Sequence, residues 1–156
     1  MRISVQEAAF ELGAESDAFA AGVANAGAVV TFTGVVRDAD QGGLQAMEIE
    51  HYPGMTEKAL TAIAEEAMDR WSLADTLVIH RHGRLAPGER IMMVATAARH
   101  RKDAFEAAEY LMDYLKSRAP FWKKEILSGG GADWVAAKDA DEDALKRWQG
   151  GKSPAS

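Results

Sequence analysis

The sequence predicts an α+β domain in which a mainly antiparallel sheet carries flanking helices. Three observations lead to that class. Segments 28–36 and 45–52 are β-branched or alternating, and they precede a segment, 56–71, with apolar residues at helical spacing. Segments 76–82 and 90–98 read as two further strands, joined by the turn-rich Gly83-Arg-Leu-Ala-Pro-Gly-Glu89, which suits an antiparallel pair. A second helical stripe, 103–118, runs into Pro120, after which a strand pattern resumes.

The elements follow in order. The first twelve residues give a short apolar alternation and a turn. Ser16 is expected to cap a helix that buries Phe19, Ala20 and Val23 and ends at Gly27. Ala28-Val-Val-Thr-Phe-Thr-Gly-Val-Val36 is a strand in which Gly34 marks a bulge or a close backbone approach, and it delivers Arg37 to its end. A polar, glycine-containing loop, 38–44, leads to a strand that sets Met47, Ile49 and His51 against Glu48, Glu50 and Tyr52. Pro53-Gly54 turns the chain into a helix begun by Thr56 and Glu57, with Leu60, Ile63, Ala64, Ala67, Met68 and Trp71 on the face that packs on the sheet.

The third helix has Asp103 and Glu106 in its first turn and Lys116 and Arg118 in its last, the charge order its dipole favours. Its expected buried stripe is Ala104, Phe105, Ala108, Leu111, Met112 and Leu115. Beyond Pro120, segment 121–127 is a strand with Trp122 and Ile126 turned to the core, Trp122 as an anchor, and Lys123 turned outward beside Lys116. Segment 128–132 is a glycine-rich loop, 133–138 a short strand and 139–148 an acidic helical segment. Residues 1–148 are expected to form one domain and 149–156 a disordered tail.

Composition narrows the chemistry. The chain of 156 residues carries a net charge of -6, which argues against the broad basic surface that nucleic acid or an acidic membrane requires. Neither nucleic acid nor a membrane is expected as a partner. No apolar run reaches membrane-helix length and the N-terminus is too polar for a signal peptide, so a cytoplasmic protein is expected. With no cysteine, the chain offers no disulfide, no thiolate metal site and no thiol nucleophile.

Against that acidic background, residues 99–124 hold seven Lys or Arg and four Asp or Glu, a local excess of +3. Arg37, His100, Arg101, Lys116 and Lys123 all fall at the ends of predicted elements, where binding sites are commonly built. That convergence points to a specific anion site. Other conspicuous features have plainer readings. His80 and His82 share a strand face but lack an obvious third ligand, so no metal is expected. Gly129-Gly-Gly131 lacks the Lys-Ser/Thr ending of a P-loop.

Five stretches carry a family resemblance. They are Thr31-Phe-Thr-Gly-Val-Val-Arg37, Glu50-His-Tyr-Pro-Gly-Met-Thr-Glu-Lys58, Ile79-His-Arg-His-Gly-Arg-Leu85, Ala98-Arg-His-Arg101 with Ala104-Phe105, and Met112-Asp-Tyr-Leu-Lys-Ser-Arg-Ala-Pro-Phe-Trp-Lys-Lys-Glu125. In order and spacing they resemble the large, catalytic subunit of molybdopterin synthase. The resemblance implies an α/β hammerhead fold, a homodimer, and a heterotetramer formed with one small ubiquitin-like sulfur-carrier subunit at each end. It implies a sulfurtransferase without a cofactor of its own, which moves sulfur from the thiocarboxylate on the carrier's C-terminal Gly-Gly tail. The acceptor is cyclic pyranopterin monophosphate, which receives two sulfurs to form the molybdopterin dithiolene.

By the same resemblance Lys116 is the catalytic lysine beside the carrier's C-terminal carbonyl and Lys123 its partner, while Arg37, His100 and Arg101 bind substrate. Relatives can place an arginine, contributed across the dimer, where this chain has Lys138, which keeps the charge but loses the bidentate grip on phosphate. Two ammonium groups about 6 Å apart repel by ~2.8 kcal/mol at an effective dielectric near 20, which lowers one lysine by roughly two pKa units. The expectation puts that shift on Lys116, acting as acid and base, and keeps Lys123 charged against anionic intermediates. Two other classes share these cations: a noncatalytic module that binds an anion or the acidic tail of a partner, and a small nucleic-acid binder.

Overall fold

The computed structural model describes residues 1–136 and 138–150. In chain order its elements are β1 (Arg2–Gln6), α1 (Leu12–Ala21), β2 (Ala28–Val35), β3 (Leu44–His51), α2 (Met55–Trp71), β4 (Asp75–Arg81), β5 (Gly83–Leu85), β6 (Arg90–Ala98), α3 (Arg101–Ser117), β7 (Phe121–Leu127), β8 (Ala132–Trp134) and α4 (Asp139–Leu145), closed by a 3₁₀ turn, Lys146–Trp148. The strands form two four-stranded sheets, ordered β1-β4-β6-β2 and β5-β3-β7-β8. Among the described residues the pairings are antiparallel except β1 with β4. The fold is α+β, as the sequence predicts, with its antiparallel strands divided between two sheets.

The first sheet is covered on both faces. Along β4 and β6, Val78, Met92, Val94 and Ala98 join Leu60 and Ala64 of α2 and Leu111 of α3 in the larger core. Leu77, Ile79, Met93, Ala95 and Ala97 point the other way, onto Phe19 and Val23 beside α1. Burial on both faces is why these strands read as nearly continuous apolar runs. Two threonines fit inside because their hydroxyls are used: Thr76 Oγ1 donates to the Ala95 carbonyl and Thr96 Oγ1 to that of Ala104. The second sheet joins the larger core through Ile49 and Leu85.

Gly34 sits at the register break between β2 and β6, where an added Cβ would lie 3.3 Å from the Met92 side chain. The bulge and the close approach both occur. Gly27 has a different role from the one expected. The first helix stops at Ala21, and Gly27 instead lets β2 begin against the α3 corner, because a Cβ there would lie 2.3 Å from the Arg99 carbonyl oxygen.

Several other expectations are corrected. Glu11, not Ser16, occupies the cap of α1, and Ala20 is exposed. In α3, Tyr110 is buried while Phe105 is 61% exposed, so the stripe runs through Ala107, Tyr110 and Leu111. Strand β5 is too short to leave a periodic signal. Segment 133–138 is a strand only as far as Trp134, and Ala137 lies outside the described residues. Trp122 is 48% exposed and is no core anchor, because Phe121 takes the inward position by stacking on His80.

After α4 the chain docks through Trp148, whose ring meets Trp71 and Tyr110 edge-on at 5.5 and 5.6 Å. Its Nε1 donates to Asp113 at 2.6 Å. The expected tail, 149–156, lies outside the described residues beyond Gly150. Among the described residues no helix is long and apolar enough to cross a membrane.

Candidate active site

The C-terminal turn of α3 and the first residues of β7 line one cleft of about 660 Å³, together with the end of β2 and the segment entering α4. Pro120 builds the corner. It lacks the N–H that would continue the helix ladder and biases Ala119 toward extended backbone. Helix α3 therefore stops at Ser117, and Phe121 N donates to the Ala119 carbonyl at 2.8 Å as the chain reverses. Thr56, fully buried at the start of α2, pins this corner. Its Oγ1 donates to the Pro120 carbonyl at 3.0 Å and accepts the Tyr52 N–H at 2.9 Å.

The corner sets the two lysines. Lys116, exposed in the last turn of α3, and Lys123, half-buried on β7, line the same cleft. Lys123 lies two residues along the strand from Phe121, on the face opposite Trp122. Burial pushes the Lys123 ammonium down to about 8, and repulsion from Lys116 and Lys138 adds to it while Asp141 opposes it. The depressed proton affinity thus falls on Lys123, the residue expected to remain simply charged.

Arg37 and Lys138 complete a set of four cations on the cleft. Arg37 is exposed, within 3.8 Å of Asp40, and Lys138 stands at the cap position of α4. Of the acids lining the same space, Asp38 accepts the Ala39 and Leu44 backbone N–H groups, Asp40 meets Arg37, and Glu142 is paired with Arg118 at 2.8 Å. Lys116, Lys123 and Lys138 remain to meet an incoming anion, with Glu125 and Asp141 as their local counter-charges.

The structure does not bring His100 and Arg101 to this cleft within one chain. They lie at the N-terminal end of α3, about 24 Å from Lys116 along a helix rising 1.5 Å per residue. His82 is not aligned with His80 either: it follows β4 and its ring packs on His51 at 4.2 Å. Among the described residues no group of three or more His, Cys, Asp or Glu is placed to hold a metal.

Three contributors escaped the sequence reading. Thr56 reads as a helix start, and its link to Pro120 spans 64 positions. Trp134 joins the rim, with Lys124 Nζ 5.1 Å from its ring centre. His80, 5% exposed, forms part of the wall beneath Phe121. Only its place in an apolar strand hinted at burial.

Comparison with known proteins gives consistent matches. The family model described as MoaE protein matches residues 5–118. A molybdopterin synthase catalytic subunit from Cereibacter sphaeroides is 72% identical over 148 residues, covering 95% of this chain and 100% of that protein. Among solved structures, a molybdopterin biosynthesis MoaE protein from Burkholderia ambifaria superposes with a TM-score of 0.81 at 50% identity, covering 95% of this chain and 97% of its own. Molybdopterin synthase from Staphylococcus aureus gives a TM-score of 0.76 at 31% identity, over 85% of this chain and 96% of its own.

Proposed function

The chain belongs to the MoaE protein family and works as the catalytic subunit of a molybdopterin synthase; we propose that the cleft between α3 and β7 is where it transfers sulfur. The donor is the thiocarboxylate at the C-terminal Gly-Gly tail of a small ubiquitin-like carrier, and the acceptor is cyclic pyranopterin monophosphate. The observation that carries this reading is the convergence of Lys116, Lys123, Arg37 and Lys138 on one cleft in a chain of net charge -6. Both reactants are anions, and charge-assisted hydrogen bonds from ammonium and guanidinium groups hold carboxylate-like and phosphate oxygens strongly. The chain has no cysteine, so the sulfur arrives on another molecule.

Lys116, exposed at the helix end, meets the carrier's tail. Lys123 exchanges the proton, since an amine held at about 8 is divided between its two forms near neutral pH. This assignment exchanges the two roles expected from the sequence. The reading includes a cytoplasmic location, which cell fractionation tests.

His100 and Arg101 enter the reading through a second copy. Strand β2 is the edge of its sheet, and Val29, Phe32 and Val35 are exposed along it. Antiparallel pairing of two β2 strands across a two-fold axis would lay the start of one beside the end of the other. The start adjoins His100, since Gly27 N donates to the Ala98 carbonyl at 3.0 Å, and the end leads into Arg37. The homodimer thereby supplies His100 and Arg101 to the partner's cleft, and a carrier at each end makes the heterotetramer.

Mixing the purified protein with thiocarboxylated carrier and cyclic pyranopterin monophosphate tests the function. Wild type is expected to form the dithiolene product, with Lys116→Ala slowed by roughly 100-fold or more. Absence of product from the wild type would overturn the reading.

A further inference from the structure

His80 lies in β4 with 5% of its surface exposed, and its ring stacks on Phe121 at a centroid distance of 3.7 Å and an interplanar angle of 16°. Its Nδ1 is 2.8 Å from the Arg81 carbonyl oxygen. A carbonyl oxygen only accepts, so Nδ1 carries the proton and donates. A neutral ring then has its lone pair on Nε2. That atom makes no hydrogen bond among the described residues, Lys123 included, and it is not sealed away, since His80 lines the cleft.

The groups around the ring explain why it stays neutral. Lys123 from β7, Lys116 from α3 and His82 beyond β4 all disfavour an imidazolium, and burial disfavours it most, holding the group at about 3. Lys123 in turn faces Lys116, Lys138 and Asp141. Phe121 and Lys123 project from the same face of β7, roughly 7 Å apart, so a ring held beneath the first stands beside the second. A neutral acceptor is the one polar group that can steady an ammonium there without adding charge of either sign.

We propose that His80 is a positioning residue of the cleft: locked between the Arg81 carbonyl and the face of Phe121, it presents Nε2 as a fixed hydrogen-bond acceptor for the Lys123 ammonium. The catalytic consequence rests on the proposed sulfur transfer, whereas the hydrogen-bond arrangement does not. Accepting from the charged form favours that form, so a bond from Lys123 to Nε2 would raise the Lys123 proton affinity above what burial and the neighbouring lysines set.

The test uses the full-length protein and needs neither carrier nor pterin. Nitrogen NMR of labelled histidine is expected to show His80 as the Nδ1–H tautomer, with Nε2 unprotonated from pH 5 to 8. A lysine titration followed by NMR is expected to show the Lys123 midpoint falling by about one unit, tenfold in proton affinity, in His80→Phe, which keeps the stacked ring and deletes the acceptor. His80→Gln, which restores an acceptor, is expected to recover part of that shift. An Nε2–H tautomer in the wild type, or an unchanged Lys123 midpoint in folded His80→Phe, overturns the proposal. Should His80→Phe fail to fold, the wild-type tautomer and the Gln variant decide the matter. Loss of product in the reconstituted reaction with these NMR results intact would instead count against the proposed function.

Discussion

His80 and Lys123 both lose proton affinity on folding, and the sign of the linkage is the same for each. Between the folded and unfolded values the unfolded chain binds more protons, so stability rises with pH through each window. For His80 the window runs from about 3 to the ordinary 6.5, and for Lys123 from about 8 to the ordinary 10.5. Urea unfolding at a series of pH values is therefore expected to show the wild type losing about 3 kcal/mol between pH 7 and pH 4 through His80 alone. His80→Phe should flatten that part of the curve, and an equally steep curve would place the acid lability elsewhere. At this scale the sequence was partly legible. Arg37, Lys116 and Lys123 stood out as cations at element ends in an acidic chain, Lys138 entered only through the family resemblance, and the four share a cleft. Which lysine is desolvated was not legible. Strand alternation fixes that Trp122 and Lys123 point opposite ways, but only packing against His80 decides which way is inward.

Elements with one covered face were easiest to read, as the residues of α2 show: Leu60, Ile63, Ala64, Ala67 and Trp71 are all buried as their spacing requires. In α3 the expected stripe was rotated, because Phe105 carries the stronger apolar signal while Tyr110 has the buried place, edge-on to Trp71 at 5.1 Å. Gly27 was read as a helix stop from its residue type, but its reason lies in tertiary contact. It lets β2 start against the β6–α3 corner that carries His100. Gly27→Ala is expected to destabilise the protein by roughly 2 kcal/mol, the usual cost of overpacking when the obstructing atom is backbone. Chemical denaturation checks this, and a change within experimental error would show that the corner yields freely.

For the whole molecule, the cleft accounts for four of the six candidate residues within one chain, and the length of α3 keeps His100 and Arg101 away from it. No periodicity in the sequence could reveal that division, since it depends on where one helix begins and ends in space. The two-copy arrangement makes a complementation prediction. Arg101→Ala and Lys116→Ala chains, each inactive alone, should recover about a quarter of the wild-type rate when mixed and allowed to exchange, because about half of the dimers are then mixed and each mixed dimer holds one intact cleft of its two. No recovery from chains shown to exchange would assign Arg101 to a role within its own protomer. The central claim is that sulfur transfer runs through a lysine pair in which Lys123 exchanges the proton. Single-turnover transfer from thiocarboxylated carrier to cyclic pyranopterin monophosphate, followed across pH, tests it most directly. The wild-type rate should change with a midpoint near 8, and Lys123→Arg, which keeps the charge but cannot release the proton, should lose both that midpoint and roughly 100-fold in rate. A Lys123→Arg enzyme with the wild-type rate and pH profile would contradict the account.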